Sequence, residues 1–337
     1  MKVTAEKTAF SFRDEPLKVY GVPEFYRTGE LRRLPDSVIE ATAVNQILGR
    51  RCPGGRLGFR TDSKTINVKI TFETLGIDRG MSIYACQSAS VFVGPHSSSR
   101  FLGLVGPADY EQKTFDHTFD KKRDGMEDVL IFFPRNEIIR DITVSLEEGS
   151  ELLPPTPYRV EPPVVFYGSS ITEGGCCSNH HNVYSAILSR LLDMDFVNLG
   201  FSGCAKGEIA MAEYIAGLDM SLFVYDYDHN APNCAHLRET HYPFYKRFRE
   251  LRPDVPILML SRPASESVYK LDNRDVIIDT LLKARAAGDM NIEFIDGSTY
   301  FGADSELCFV DNVHPNDIGF YKMATTIEPV LRRMLKL

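Results

Sequence analysis

Hydrophobic and polar residues alternate one by one from Lys64 to Phe72, with Ile66, Val68, Ile70 and Phe72 on one side and Thr65, Asn67, Lys69 and Thr71 on the other. A period of two puts these sets on opposite faces of a strand, so the segment predicts a half-buried β-strand. Shorter stretches of the same kind recur at Ser82–Cys86, Val91–Val93, Val129–Phe133 and Ile142–Leu146, separated by Gly, Pro, Asp and Ser clusters that favour turns. The first 150 or so residues therefore read as a β-sandwich, with one short helix near Val38–Leu48.

Five prolines between Glu151 and Pro163 disfavour helix and withhold backbone donors from a sheet, which marks a junction between a sandwich domain over 1–155 and a second domain over 160–337. Beyond it, compact apolar runs at Val164–Tyr167, Phe196–Leu199, Leu222–Tyr227, Ile257–Leu260 and Ile292–Ile295 alternate with amphipathic stretches. Strands buried on both faces read as such runs. The stretches Asn182–Leu192, Lys206–Ala216, Leu237–Leu251, Val276–Ala287 and Asn316–Leu335 carry apolar residues at helical spacing. The fold class is α/β, a three-layer domain around a parallel sheet, preceded by the sandwich.

At 337 residues, 43% hydrophobic and 25% charged, the chain can bury a core in each half. Its 46 acidic and 38 basic residues leave a formal charge of −8, which gives no electrostatic basis for binding nucleic acid. No apolar run approaches the ~20 residues of a membrane span, and Met1–Lys7 lacks the apolar centre of a secretion signal, so the chain as it stands reads as cytoplasmic with no membrane partner. Seven cysteines without C-x-x-C spacing read as reduced thiols, although Cys176 and Cys177 lie close to the candidate nucleophile described below. His180, His181, His229, His236 and His241 match no compact metal site, so neither a metal nor another cofactor is expected.

Ligands bind outside the carboxyl ends of parallel strands, and the polar segments that follow these strands carry the chemistry. Gly168-Ser169-Ser170 follows the first strand, Gly200-Phe201-Ser202-Gly203 the second and Asp228-His229-Asn230 the third. Asp311 and His314 share one loop after the fifth strand. Serine acyl transfer needs a nucleophile, a base, a carboxylate that orients the base, and donors for the oxyanion. Ser170, His314 and Asp311 fill the first three roles. The peptide N–H groups of Ser170 and Gly203 and the side-chain amide of Asn230 fill the last. Ser169, Glu173 and Arg262 are expected along the same cleft, with pairing to a carboxylate as the alternative for Arg262. Tyr225, Tyr227 and Phe223 read as core and cleft wall rather than as a platform for stacking sugars. An α/β-hydrolase elbow, G-x-S-x-G, would need glycine two residues after the nucleophile. Thr172 stands there instead, and Cys204 stands two residues after Ser202.

These segments resemble the blocks of the SGNH (GDSL-type) hydrolases: Gly168-Ser169-Ser170-Ile171 the first, Gly203 the second, Asn230 the third, and Asp311 with His314 the last, D-x-x-H. The resemblance covers residues 160–337. It extends to Arg79-Gly80-Met81-Ser82-Ile83-Tyr84, which is similar to the G-x-D-L-Y segment of the sandwich domain found before this hydrolase in one subfamily. Three positions depart from the pattern. Ser169 and Ser82 stand where the family usually has aspartate, and Asp226-Tyr227-Asp228-His229-Asn230 replaces G-x-N-D. The resemblance implies a flavodoxin-like fold and ester hydrolysis, often of acyl groups on carbohydrate.

The expected activity is that of a serine esterase that removes a small acyl group, acetyl foremost, from a carbohydrate or related alcohol. Two alternatives accompany it: acyl transfer to an alcohol acceptor at the same triad, and a glycan-binding protein with a vestigial site. The sandwich fold alone does not choose between a sugar binder, a lid and a dimerisation surface, so a homo-oligomer stays open.

Overall fold

The computed structural model describes residues 3–4, 9–263, 271–303 and 305–337. Most of the 1–7 segment read for a secretion signal therefore lies outside the described residues. No described helix is long and apolar enough to cross a membrane.

The N-terminal half is two facing antiparallel sheets. One holds Ala9–Ser11, Ile139–Leu146, Thr65–Phe72 and Thr114–Asp120, and the other is built around Arg56–Thr61, Glu127–Phe132, Ala89–Val93 and Arg100–Val105. The alternation in Thr65–Phe72 does what it predicts: Ile66, Val68, Ile70 and Phe72 are buried and Lys69 is exposed. They pack with Phe59, Val91, Ile131, Ile142 and Val144 from both sheets into one core.

Two expectations for this half need correction. Ser82–Cys86 is not a strand: Ser82 caps a short helix, Ile83–Gln87, its hydroxyl accepting from Ala85 N–H at 3.2 Å. The expected single helix over Val38–Leu48 is two, Asp36–Glu40 and Gln46–Arg50, because the Asn45 side chain accepts from Leu48 N–H and starts the second afresh.

The C-terminal half is a five-stranded parallel sheet of Val160–Gly168, Met194–Gly200, Leu222–Asp226, Ile257–Leu260 and Ile292–Ile295. In chain order the strands lie 2-1-3-4-5, the flavodoxin-like arrangement. Pro162 and Pro163 fall within the first strand, where pairing with the second lapses between Val160 and Val164 and no ladder donor is needed. Alternate residues feed opposite layers. Val164, Phe166, Leu222, Val224, Leu258 and Leu260 pack under the helices Tyr184–Leu192 and Asp317–Met334. Val165, Tyr167, Phe223, Tyr225, Ile257 and Met259 pack under Ile209–Ala216, Cys234–Leu251 and Leu271–Ala286.

Buried cations join the halves. Arg33 is fully buried and donates to the carbonyls of Leu48, Arg51, Asn198 and Gly200. Burial lowers its guanidinium to about 10. Arg56, equally buried, pairs with Asp195 and donates to the Phe196 carbonyl. Tyr20, Phe92, Leu130 and Phe132 of the sandwich join the core under one face of the parallel sheet.

Candidate active site

The first parallel strand ends at Gly168, where the chain turns at once into a one-turn helix, Ser170–Glu173. Ser169 caps that helix, its hydroxyl accepting from Ile171 N–H at 3.1 Å. Gly168 is required here by close approach, since a Cβ would lie 2.1 Å from Thr172 Oγ1 and 2.2 Å from the Asp226 carbonyl oxygen. The turn therefore sits tight on the sheet and presents Ser170 at its edge.

His314 comes from the loop before the last helix. That loop is closed by a bridge between Phe309 and Pro315 and by Val310 N–H donating to the His314 carbonyl at 3.0 Å. The Nε2 of His314 stands 2.8 Å from Ser170 Oγ, and its Nδ1 stands 2.9 Å from Asp311 Oδ2. A carboxylate only accepts, so this contact puts the ring proton on Nδ1 and leaves the Nε2 lone pair facing the Ser170 hydroxyl. Asp311 Oδ1 meanwhile accepts from Val313 N–H at 2.8 Å and His314 N–H at 2.6 Å. One carboxylate thus shapes the loop and orients the ring. Partial burial alone would raise the Asp311 carboxyl, but the hydrogen bonds from His314 and Val313 outweigh it and hold the group below its ordinary value.

Across from Ser170, Gly203 has φ of +71°, a left-handed conformation that glycine adopts without penalty. Among the described residues, no carbonyl or side chain accepts from the peptide N–H of Ser170 or Gly203. The Asn230 side-chain amide donates to the Phe201 carbonyl at 2.8 Å, which ties the loop after the third strand to the loop carrying Gly203.

These groups line one open cleft of about 600 Å³, whose walls include Ser170, Gly203, Asn230, Arg262 and His314. Arg262 serves two ends, lining the cleft while donating to Asp228 Oδ2 at 3.3 Å and to the Asp228 carbonyl at 3.0 Å. Ser169 and Glu173 lie beneath the cleft rather than along it, at 1% and 0% exposure. Tyr225, Tyr227 and Phe223 are buried in an aromatic stack that continues to Phe244 and His241.

The sandwich also walls the cleft, through Asp78, Arg79, Met81 and Arg135, which the sequence pattern did not single out as site residues. Arg135 is 1% exposed and pairs with Asp78 at 2.6 Å. Burial works against its charge, but Glu173 and Asp78 outweigh that and raise its affinity for the proton. The signal open to the eye was Pro134-Arg135-Asn136-Glu137, a polar segment directly after a buried strand.

Of the tempting histidines, His181 bonds Ser90 through Nδ1 at 2.7 Å, His241 bonds Thr280 at 2.9 Å, and His236 bonds the Lys206 carbonyl at 2.9 Å. Neither ring nitrogen of His180 has a hydrogen-bond partner, and burial keeps the ring neutral. Among the described residues no group of three or more His, Cys, Asp or Glu is placed to hold a metal. All seven cysteines are free. Cys176 lines the cleft, with its thiol pushed up to about 11 by burial and then by Asp311; burial raises Cys177 to about 12. Both are thiols at neutral pH, which makes them poor targets for oxidation.

Residues 161–332 match the sequence profile of the GDSL-like lipase/acylhydrolase family. A search of curated proteins finds no match. Among solved structures, a candidate GDSL-like lipase from Bacteroides ovatus ATCC 8483 superposes with a TM-score of 0.84 at 22% identity, covering 98% of each chain. The salicylyl-acyltransferase SsfX3 from a tetracycline biosynthetic pathway gives 0.76 at 20% identity, over 97% of this chain and 96% of that one. A family two carbohydrate esterase from Cellvibrio japonicus gives 0.63 at 14% identity, over 100% and 99%. Each likeness spans both halves, so these proteins share the combination of sandwich and parallel sheet.

Proposed function

Because the chain belongs to the GDSL-like lipase/acylhydrolase family, we propose that it is a serine esterase that removes a small acyl group, acetyl foremost, from a carbohydrate or related alcohol. The observation that carries this reading is the 2.8 Å contact between Ser170 Oγ and His314 Nε2. As the hydroxyl attacks the ester carbonyl, His314 takes its proton, and the imidazolium that forms is stabilised by Asp311 at Nδ1. The carbonyl oxygen becomes an oxyanion facing the N–H groups of Ser170 and Gly203 and the amide of Asn230. Collapse of this intermediate breaks the bond to the leaving alcohol, which receives the proton from His314. Water then enters, His314 deprotonates it, and attack on the acyl-enzyme releases the acid and restores Ser170. The open cleft favours an alcohol portion larger than the acyl portion, and the likeness to family two carbohydrate esterases over both halves supports a carbohydrate.

The test is Ser170→Ala. The variant is expected to fold, to lose turnover of p-nitrophenyl acetate, and to escape labelling by a fluorophosphonate that marks the parent chain. Residual turnover equal to the parent's would refute the assignment. Product analysis with added alcohols separates hydrolysis from acyl transfer, because the two differ only in what resolves the acyl-enzyme.

A further inference from the structure

Phe201 and Ala205 anchor the loop that carries Gly203 in the core, but its tip at Ser202 and Gly203 stands clear of that packing and is held by polar tethers. A Cβ built on Gly203 would meet nothing within 4 Å, and the residue itself is exposed. The direction of its peptide N–H therefore depends on how its neighbour Ser202 is held. Ser202 N–H donates to Glu173 Oε2 at 2.7 Å, and the Ser202 hydroxyl donates to the same oxygen. Glu173 follows the nucleophile by three residues and is fully buried, so its carboxylate links the Ser170 turn to the Gly203 loop.

A buried carboxylate needs a counter-charge. It comes from the sandwich: Arg135 Nη2 lies 3.7 Å from Glu173 Oε1 and donates to Ser202 Oγ at 3.2 Å. Arg135 is itself fixed by Asp78 Oδ2 at 2.6 Å and Asn136 Oδ1 at 2.6 Å. We infer that Arg135 is a positioning residue for catalysis, through which the N-terminal sandwich, by way of Glu173 and Ser202, sets the oxyanion-binding peptide of Gly203 against Ser170. The sandwich is then part of the catalytic apparatus rather than an appended module. The inference rests on the reading of Ser170 as nucleophile and Gly203 N–H as oxyanion donor.

An oxyanion donor acts on the transition state and little on the bound substrate, so disturbing it lowers kcat and leaves KM nearly unchanged. The experiment compares Ser202→Ala, Arg135→Lys and their combination with the parent chain on p-nitrophenyl acetate. Ser202→Ala removes the hydroxyl link while leaving the ion cluster of Asp78, Arg135 and Glu173 in place, so the fold is not at stake. Each single variant is expected to lose on the order of 10–100-fold in kcat, the size of effect that displacing an oxyanion donor produces. The double variant is expected to lose no more than the worse single one, because both break the same chain. Arg135→Ala is expected to regain activity when free guanidinium is added. Unchanged kcat in both singles, independent losses that multiply in the double, or a rise in KM at constant kcat would each overturn the inference. Ser170→Ala separates the two readings: if it is inactive while the Arg135 and Ser202 variants are unimpaired, only the positioning role fails.

Discussion

Asp311 meets His314 twice, with Oδ2 2.9 Å from the ring Nδ1 and Oδ1 2.6 Å from the backbone N–H of the same residue. The second contact, with the one to Val313 N–H, caps the loop, and the first fixes the tautomer. An Asp311→Asn side chain can still accept both backbone N–H groups through its carbonyl oxygen, but its NH2 group then faces the ring Nδ1 as a donor, which removes the charge and favours the wrong tautomer. The substitution is expected to keep the loop and lower kcat by up to about 10⁴-fold, the loss seen when a triad carboxylate becomes an amide. Asp311 is 53% exposed, and solvent screening places the loss below that ceiling. Asp311→Ala, which also removes the cap, is expected to fall further and to unfold earlier. Steady-state kinetics and thermal unfolding of the pair check this, and equal losses in both would show that the loop cap contributes little beyond the contact to the ring.

Gly168 offers a steric test of how tightly the Ser170 turn is built. The Cβ of a Gly168→Ala variant would meet the Asp226 carbonyl oxygen at 2.2 Å and Thr172 Oγ1 at 2.1 Å, neither of which is the far end of a flexible side chain. Relief requires the turn to rise from the sheet and to carry Ser170 away from His314. The variant is expected to lose about 2–3 kcal/mol of stability, typical of overpacking a buried site, together with most of its esterase activity. Urea unfolding and p-nitrophenyl acetate turnover measure the two; a stable, fully active variant would show that the turn has slack.

The parallel half was legible because strands buried on both faces leave unbroken apolar runs, as at Val164–Tyr167 and Leu222–Tyr227, and because Gly168-Ser169-Ser170 and Asp228-His229-Asn230 follow such runs closely. The strand at Thr114–Asp120 was not legible, since only Phe115 and Phe119 of its seven residues are buried and the rest of the segment reads as polar loop. Ser82–Cys86 misled for a different reason. Ile83 and Tyr84 are strand-forming types, yet a single cap from Ser82 settled five residues into helix. The meeting of Ser170 with His314 and Asp311 could be anticipated from their loops at the carboxyl edge of the sheet and from the resemblance of their motifs, and the geometry brings the three together. Arg135 stood out only as part of a polar segment after a buried strand, because which sandwich residues face the cleft depends on how two separately patterned halves dock, and periodicity carries no information about that.

Asp226 links the sheet beneath the Ser170 turn to the stability of the whole chain. Its Oδ2 accepts from the hydroxyls of Thr172 at 2.9 Å and Tyr184 at 2.8 Å, and the residue lies beside Gly168 in the sheet register. Burial, reinforced by the charge of Asp228, pushes its carboxyl up to about 8 despite those two donors. The folded chain therefore holds this proton more tightly than the unfolded chain, where the group titrates near its ordinary value of about 4. The stability Asp226 contributes is complete below about pH 4, declines as pH rises and is lost once pH passes about 8, with a slope of up to about 1.4 kcal/mol per pH unit for one proton. Asp226→Asn keeps the shape and an acceptor oxygen but cannot ionise. Relative to the parent, the variant is expected to gain stability between pH 5 and pH 8. Urea unfolding of both chains at the two pH values isolates the effect, because every other titrating group cancels in the comparison. If the stabilities of the two chains change in parallel, Asp226 is not a source of the alkaline loss.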